Sequence, residues 1–127
     1  MNKRLVIVIA LALVALVVAG FLALRSSPHF ASERPTLLFF YSPLCSFCKE
    51  IMPTVNGIER EYAGRLNVVY VNIDETEGQT TARGYGVIGT PTIVLLDRDG
   101  EQTNVLRGTI PAPLIYKAVD ELSLIHI

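Results

Sequence analysis

The 127-residue chain has no tryptophan, only two cysteines (Cys45 and Cys48) and only two histidines (His29 and His126). A closed four-ligand zinc site within the chain would need both distant histidines to converge on the cysteine pair, which the spacing does not favour. A c-type haem attachment needs a histidine directly after the second cysteine, and Lys49 stands there. No basic run and no interleaving of aromatic with basic residues occurs, which argues against a nucleic-acid partner. Internal repeats are absent, and so is low-complexity sequence outside one apolar run. Of the 11 Lys and Arg, three (Lys3, Arg4 and Arg25) precede Ser26, which leaves eight against all 12 Asp and Glu: the remainder is mildly acidic.

The apolar run is Leu5 to Leu24, LVIVIALALVALVVAGFLAL, without a charge. Twenty residues at about 1.5 Å each span about 30 Å, the thickness of a bilayer's hydrocarbon core. A cleavable signal peptide has a hydrophobic stretch of about 7–15 residues, so the length favours a retained signal-anchor over residues 1–25. Lys3 and Arg4 place the N-terminus on the cytoplasmic side and the rest of the chain outside, in a periplasm-like compartment, although Arg25 on the far side weakens the asymmetry. Residues 26–35, short, polar and carrying Pro28 and Pro35, read as a linker, with His29 a solvated linker residue.

From 36 to 127 the pattern alternates. Thr36 to Tyr41 (TLLFFY) is too short for a helix and reads as a buried central strand. A helix follows from about Ser46 through Ile51, Val55, Ile58 and Tyr62, kinked by Pro53 and closed near Gly64. Asn67 to Ile73 reads as a second buried strand, and Asp74 to Tyr85 as a short helix. A third strand, Thr92 to Leu96, is joined through the turn Asp97-Arg98-Asp99-Gly100 to a fourth near Thr103 to Arg107. Pro111 and Pro113 begin a final helix through Leu122; the apolar tail 123–127 either completes it or precedes a missing end. Strands joined through a helix pair in parallel and those joined by a tight turn pair antiparallel. The expected fold is α/β: a four-stranded mixed sheet with helices on both faces, plus the N-terminal transmembrane helix.

The chemistry concentrates where the first strand meets the helix, at Pro43-Leu44-Cys45-Ser46-Phe47-Cys48. A sulfur at a helix N-terminus faces unpaired N–H groups and the positive end of the helix dipole, which favour the thiolate, so Cys45 is the candidate nucleophile. Cys48, one turn in, is more shielded and placed to resolve a mixed disulfide formed on Cys45. A purely structural disulfide at this spacing closes almost no loop and stabilises little. Two soft thiolates also suit copper(I), so a non-catalytic copper- or client-binding module is the alternative from another class.

With Cys45-x-x-Cys48 after the first strand, Pro53 in the helix, Val71-Asn72-Ile73-Asp74 closing the second strand, Tyr85 to Thr92 (YGVIGTPT) before the third and Gly108 after the fourth, the chain resembles the thioredoxin family over roughly Thr36 to Leu122. The resemblance implies thiol–disulfide exchange on protein disulfides with no cofactor beyond the cysteine pair. It also implies a cis-proline at Pro91 facing the sulfurs, and Thr90, Leu44, Phe47 and Gly108, with Ser42, around a shallow client-docking surface. It further implies a membrane thiol-electron transporter as electron source and clients such as apocytochromes or envelope proteins. Departures bear on mechanism. Leu44 replaces the usual tryptophan; Phe39 replaces a buried acid and Tyr70 its lysine partner, leaving Glu50 or water as proton acceptor for Cys48. Ser46-Phe47 supplies a hydroxyl and no cation, which leans the pair towards a reductant, with oxidase or isomerase as the alternative.

Overall fold

The computed structural model describes residues 1–23 and 32–125. Along it run α1 (Lys3–Ala23), β1 (Thr36–Tyr41), α2 (Ser46–Glu61), β2 (Asn67–Asn72), α3 (Thr76–Gly84), β3 (Thr92–Leu96), β4 (Gln102–Arg107) and α4 (Ala112–Ile125). Most of the expected linker, with His29, and the last two residues, with His126, lie outside the described residues. α1 is 21 residues of apolar helix with none buried, long enough to cross a membrane.

The four strands form one sheet in the order β2-β1-β3-β4. β1 pairs in parallel with β2 and antiparallel with β3, and β4 closes the other edge antiparallel to β3. Side chains alternate across a strand, so the unbroken apolar runs of β1 and β3 must be covered on both faces. On one face Leu37, Phe39, Ile93 and Leu95 pack with Cys48, Ile51, Val55 and Ile58 of α2 and Ile115, Val119 and Leu122 of α4. On the other, Leu38, Phe40, Val94 and Leu96 pack with Ala82 of α3 and the segment carrying Tyr85 and Val87.

The expectation for β2 changes. β2, read as a buried strand, is an edge strand in which only Val71 is buried, because among the described residues no strand pairs beyond it. α2 runs from Ser46 to Glu61 with Pro53 inside it, as read. Tyr62 then caps α2, its hydroxyl donating to the Asp120 carboxylate of α4, and Gly64, at φ +82°, turns the chain back towards β2. α3 begins two residues later than read, and its Gly78 lies against the Asn72 carbonyl at the end of β2, where no side chain fits.

Candidate active site

Strand direction gathers the chemistry at one end of the sheet. The parallel pairing sets Tyr41 beside Asn72, so β1 and β2 finish together. Thr92, at the start of β3, pairs with Phe40 on one side and Arg107 on the other. One residue before β3, Pro91 meets Gly108, whose N–H donates to the Pro91 carbonyl at 3.0 Å. The Thr90–Pro91 peptide is cis, the geometry that the sequence resemblance implies. Gly108, at φ +77°, adopts the left-handed conformation that glycine reaches without a steric penalty. Thr92 Oγ1 donates to the Gly89 carbonyl at 2.7 Å, folding the 86–90 loop back against the strand it precedes.

From the end of β1 the chain makes a tight turn into α2. The Cys45 N–H donates to the Ser42 carbonyl at 3.0 Å, and the Leu44 N–H reaches Ser42 Oγ at 3.3 Å. Cys45 is the N-cap of α2, and its Sγ accepts from the Cys48 N–H at 3.2 Å. A helix start leaves such N–H groups without intrahelical partners, so a sulfur here satisfies one of them. The two cysteines are joined as a disulfide with their Cα atoms 5.2 Å apart. Their environments are unequal: Cys45 is half-buried, whereas Cys48 is 1% exposed within the cluster that contains Phe39 and Ile51.

The surroundings of the pair are apolar and uncovered. Leu44 is 89% and Phe47 54% exposed. Ile88, not singled out from the sequence, is 94% exposed in the loop that leads to the cis-proline. Its signal was legible: an isoleucine between two glycines, where neighbouring Val87 packs inward and leaves Ile88 facing solvent. Thr90 is half-buried and Pro91 buried.

Beneath Cys48 no acid is buried: among the described residues the buried polar side chains are Thr36 and Thr92 alone. Phe39 lies level with Tyr70 across β1 and β2, the rings edge-on at 6.1 Å, and stacks on Tyr41 at 5.8 Å. Aromatic packing thus occupies the two positions where the sequence resemblance implies a buried ion pair. The Tyr70 hydroxyl sits 2.7 Å from Asn56 Oδ1 and 2.9 Å from Glu59 Oε2; burial, then the hydrogen bond to Glu59, pushes its pKa up to about 12. It holds its proton at neutral pH. Glu50 is exposed on the solvent side of α2. The described residues include no cluster of three or more His, Cys, Asp or Glu side chains that could hold a metal.

The sequence reading also missed a tie under the turn. Ser42 Oγ donates to Asp74 Oδ2 at 2.8 Å, although 32 residues separate them. The Asp74 N–H in turn donates to Asn72 Oδ1 at 3.0 Å, and the Ile73 N–H to the Tyr41 carbonyl at 3.0 Å.

A cysteine pair at the start of the helix that follows a central strand, with a cis-proline just before the neighbouring strand, defines the class of α/β proteins built around a redox disulfide. Comparison with known sequences narrows it: the thioredoxin family model matches residues 27–121, and the chain belongs to the thioredoxin family. It is similar to the chloroplastic thioredoxin-like protein HCF164 of Arabidopsis thaliana, 31% identical over 101 residues, which cover 80% of this chain and 39% of that protein. The thiol:disulfide interchange protein TxlA of Synechococcus elongatus is 30% identical over 136 residues, covering 96% of this chain and 71% of that one. A thioredoxin of Synechocystis is 30% identical over 90 residues, 71% of this chain and 81% of its own length. The chain spans about two fifths of the Arabidopsis protein.

Proposed function

We propose that the chain is a thiol–disulfide oxidoreductase acting on protein disulfides, in which Cys45 attacks and Cys48 resolves. The observation that carries this reading is the inequality of the two sulfurs: one half-buried at a helix N-terminus, the other enclosed one turn in. Starting from the dithiol, the Cys45 thiolate attacks one sulfur of a client disulfide, forms a mixed disulfide and expels the other client sulfur as a thiolate, which takes a proton. The Cys48 thiolate then attacks the Cys45 sulfur, which breaks the mixed disulfide, closes the Cys45–Cys48 bond and releases the second client thiol. Two electrons pass to the client; a reductant must return them to the enzyme. With no acid buried beneath it, Cys48 gives its proton to water or to the departing client thiolate.

Leu44, Phe47, Thr90, Pro91 and Gly108 hold the client in this reading. The exposed apolar side chains cover its apolar surface, and the backbone before the cis-proline pairs with an extended segment by strand addition. Residues 1–25 anchor the protein in the membrane, 26–35 tether it, and 36–127 form the catalytic domain, on the periplasmic or other extracytoplasmic side, where a membrane thiol-electron transporter supplies the electrons. The length of α1 and the two positive charges before its apolar run support that arrangement.

Reduction of insulin disulfides with a thiol donor tests the reading. Activity is lost in Cys45→Ala, and Cys48→Ala accumulates a mixed disulfide trapped on Cys45. Equal, slow alkylation of both thiols by iodoacetamide, with ordinary alkaline midpoints, would sink it. Direction is read from the reduction potential: a value near about −270 mV makes the protein a reductant, and one near about −120 mV an oxidant.

A further inference from the structure

The end of β2 holds the turn that presents Cys45. Ser42 uses both its oxygens on that turn: the carbonyl accepts the Cys45 N–H and the hydroxyl oxygen accepts the Leu44 N–H. Pro43, between them, has no N–H to offer. The hydroxyl proton is committed to Asp74, at 2.8 Å, which leaves the lone pairs of Oγ facing the Leu44 N–H. Asp74 is itself fixed, its N–H on Asn72 Oδ1, while Asn72 Nδ2 reaches Glu75 Oε1 at 3.3 Å. This chain of contacts runs from the α3 entrance through the edge strand to the residue before the nucleophile. Nothing in the chemistry of exchange requires it, and Ser42 and Asp74 touch neither sulfur.

We propose that Ser42 and Asp74 are a positioning pair: the carboxylate orients the hydroxyl, the hydroxyl fixes the Pro43–Leu44 turn, and the fixed turn holds Cys45 at the N-terminus of α2 where its thiolate is stabilised. With the turn's own N–H groups consumed by Ser42, the N–H groups of the first helical turn stay available to the sulfur, as the Cys48 N–H on Cys45 Sγ illustrates. Loss of either partner lets the turn move and weakens that stabilisation, so the thiolate fraction of Cys45 falls. The pair acts in series, so breaking both links costs no more than breaking one.

The inference rests on the oxidoreductase reading and is tested on the full chain in detergent, with Ser42→Ala, Asp74→Ala, which removes the acceptor, the double variant and Ser42→Thr, which keeps the hydroxyl. The readouts are the rate and pH midpoint of Cys45 alkylation and kcat/KM for insulin reduction, at a temperature where circular dichroism shows every variant folded. Each single variant should slow Cys45 alkylation at neutral pH about fivefold, the factor that one hydrogen bond of ordinary strength supplies, and move the midpoint to higher pH. The double variant should match the singles, and Ser42→Thr should stay within about twofold of the parent. Additive losses, or an unmoved pH midpoint in both singles, overturn the proposal. A parent protein that fails to reduce insulin refutes the oxidoreductase reading instead; a working parent with indifferent variants refutes only the positioning pair.

Discussion

Gly78→Ala tests how tightly α3 is seated against the end of β2. A Cβ at Gly78 would lie 1.8 Å from the Asn72 carbonyl oxygen, 2.6 Å from its carbon and 3.3 Å from the Ile73 nitrogen. Ordinary contact between carbon and oxygen needs about 3.3–3.6 Å, so helix and strand must separate by about 1.5 Å. Neither obstacle is a side chain that can turn away. Overpacking of this kind costs about 1–3 kcal/mol, and the upper end applies because the clash is with backbone. Alanine returns up to about 1 kcal/mol through its better helix propensity. The net expectation is a loss of about 2 kcal/mol, or roughly 8–16 °C in Tm for a folded unit of about 100 residues. Thermal and urea unfolding of the full chain in detergent, followed by circular dichroism, measures it. A second consequence separates this mechanism from general destabilisation. Asn72 accepts from the Asp74 N–H, so a displaced β2 end should also slow Cys45 alkylation at temperatures where the variant is folded. An alanine variant as stable as the parent, or more so, would show that helix propensity outweighs the close approach and that the seat is loose.

Other perturbations address the face of the sheet that α2 and α4 cover. Tyr62→Phe removes the hydroxyl that ties α2 to Asp120 of α4 and should cost about 1.5 kcal/mol in urea unfolding, as for a hydrogen bond to a charged group. Burial first, then the Asp120 hydrogen bond, pushes the Tyr62 pKa up to about 12, and Tyr70 is raised to about 12 by burial and Glu59. Both hold their protons more tightly folded than unfolded, so their contribution is intact below about pH 10 and drains away as pH rises towards 12. A stability profile across that window should fall less steeply in Tyr62→Phe, and an identical slope would argue against the shift. Phe39→Asp puts a carboxyl at a fully buried position in the Cys48 cluster and should cost at least about 3 kcal/mol. Adding Tyr70→Lys should recover part of the loss, and simple additivity of the two changes would deny that these positions face each other as the register requires.

What was legible in the sequence was whatever short-range pattern decides. Thr36 to Tyr41 is apolar without interruption because β1 lies between two strands with helices over both faces, and a run of that kind has few other uses. The cysteine spacing after that strand fixed the place of the sulfurs on α2 for the same reason: a helix start has a chemistry of its own. β2 misled because its run, NVVYVN, carries nearly the same signal although it forms an edge. Val68 and Tyr70 pack towards α2 and α4, and Val69 towards α3, so both faces are partly covered while one flank has no strand beside it. Periodicity reports the faces of a strand and is silent about its flanks. The tie from Ser42 to Asp74 was hidden for a related reason, since a serine after a strand and an aspartate before a helix each have an ordinary local explanation as turn residues. Only the parallel pairing that sets Tyr41 beside Asn72 turns two local signals into one contact across 32 residues. The hydrogen bonds behind the nucleophile's turn lie where two loops meet at the end of the sheet, so the proposed positioning role predicts that variants changing cysteine reactivity without touching a sulfur cluster at Ser42, Asn72 and Asp74 ahead of the solvent face of α2.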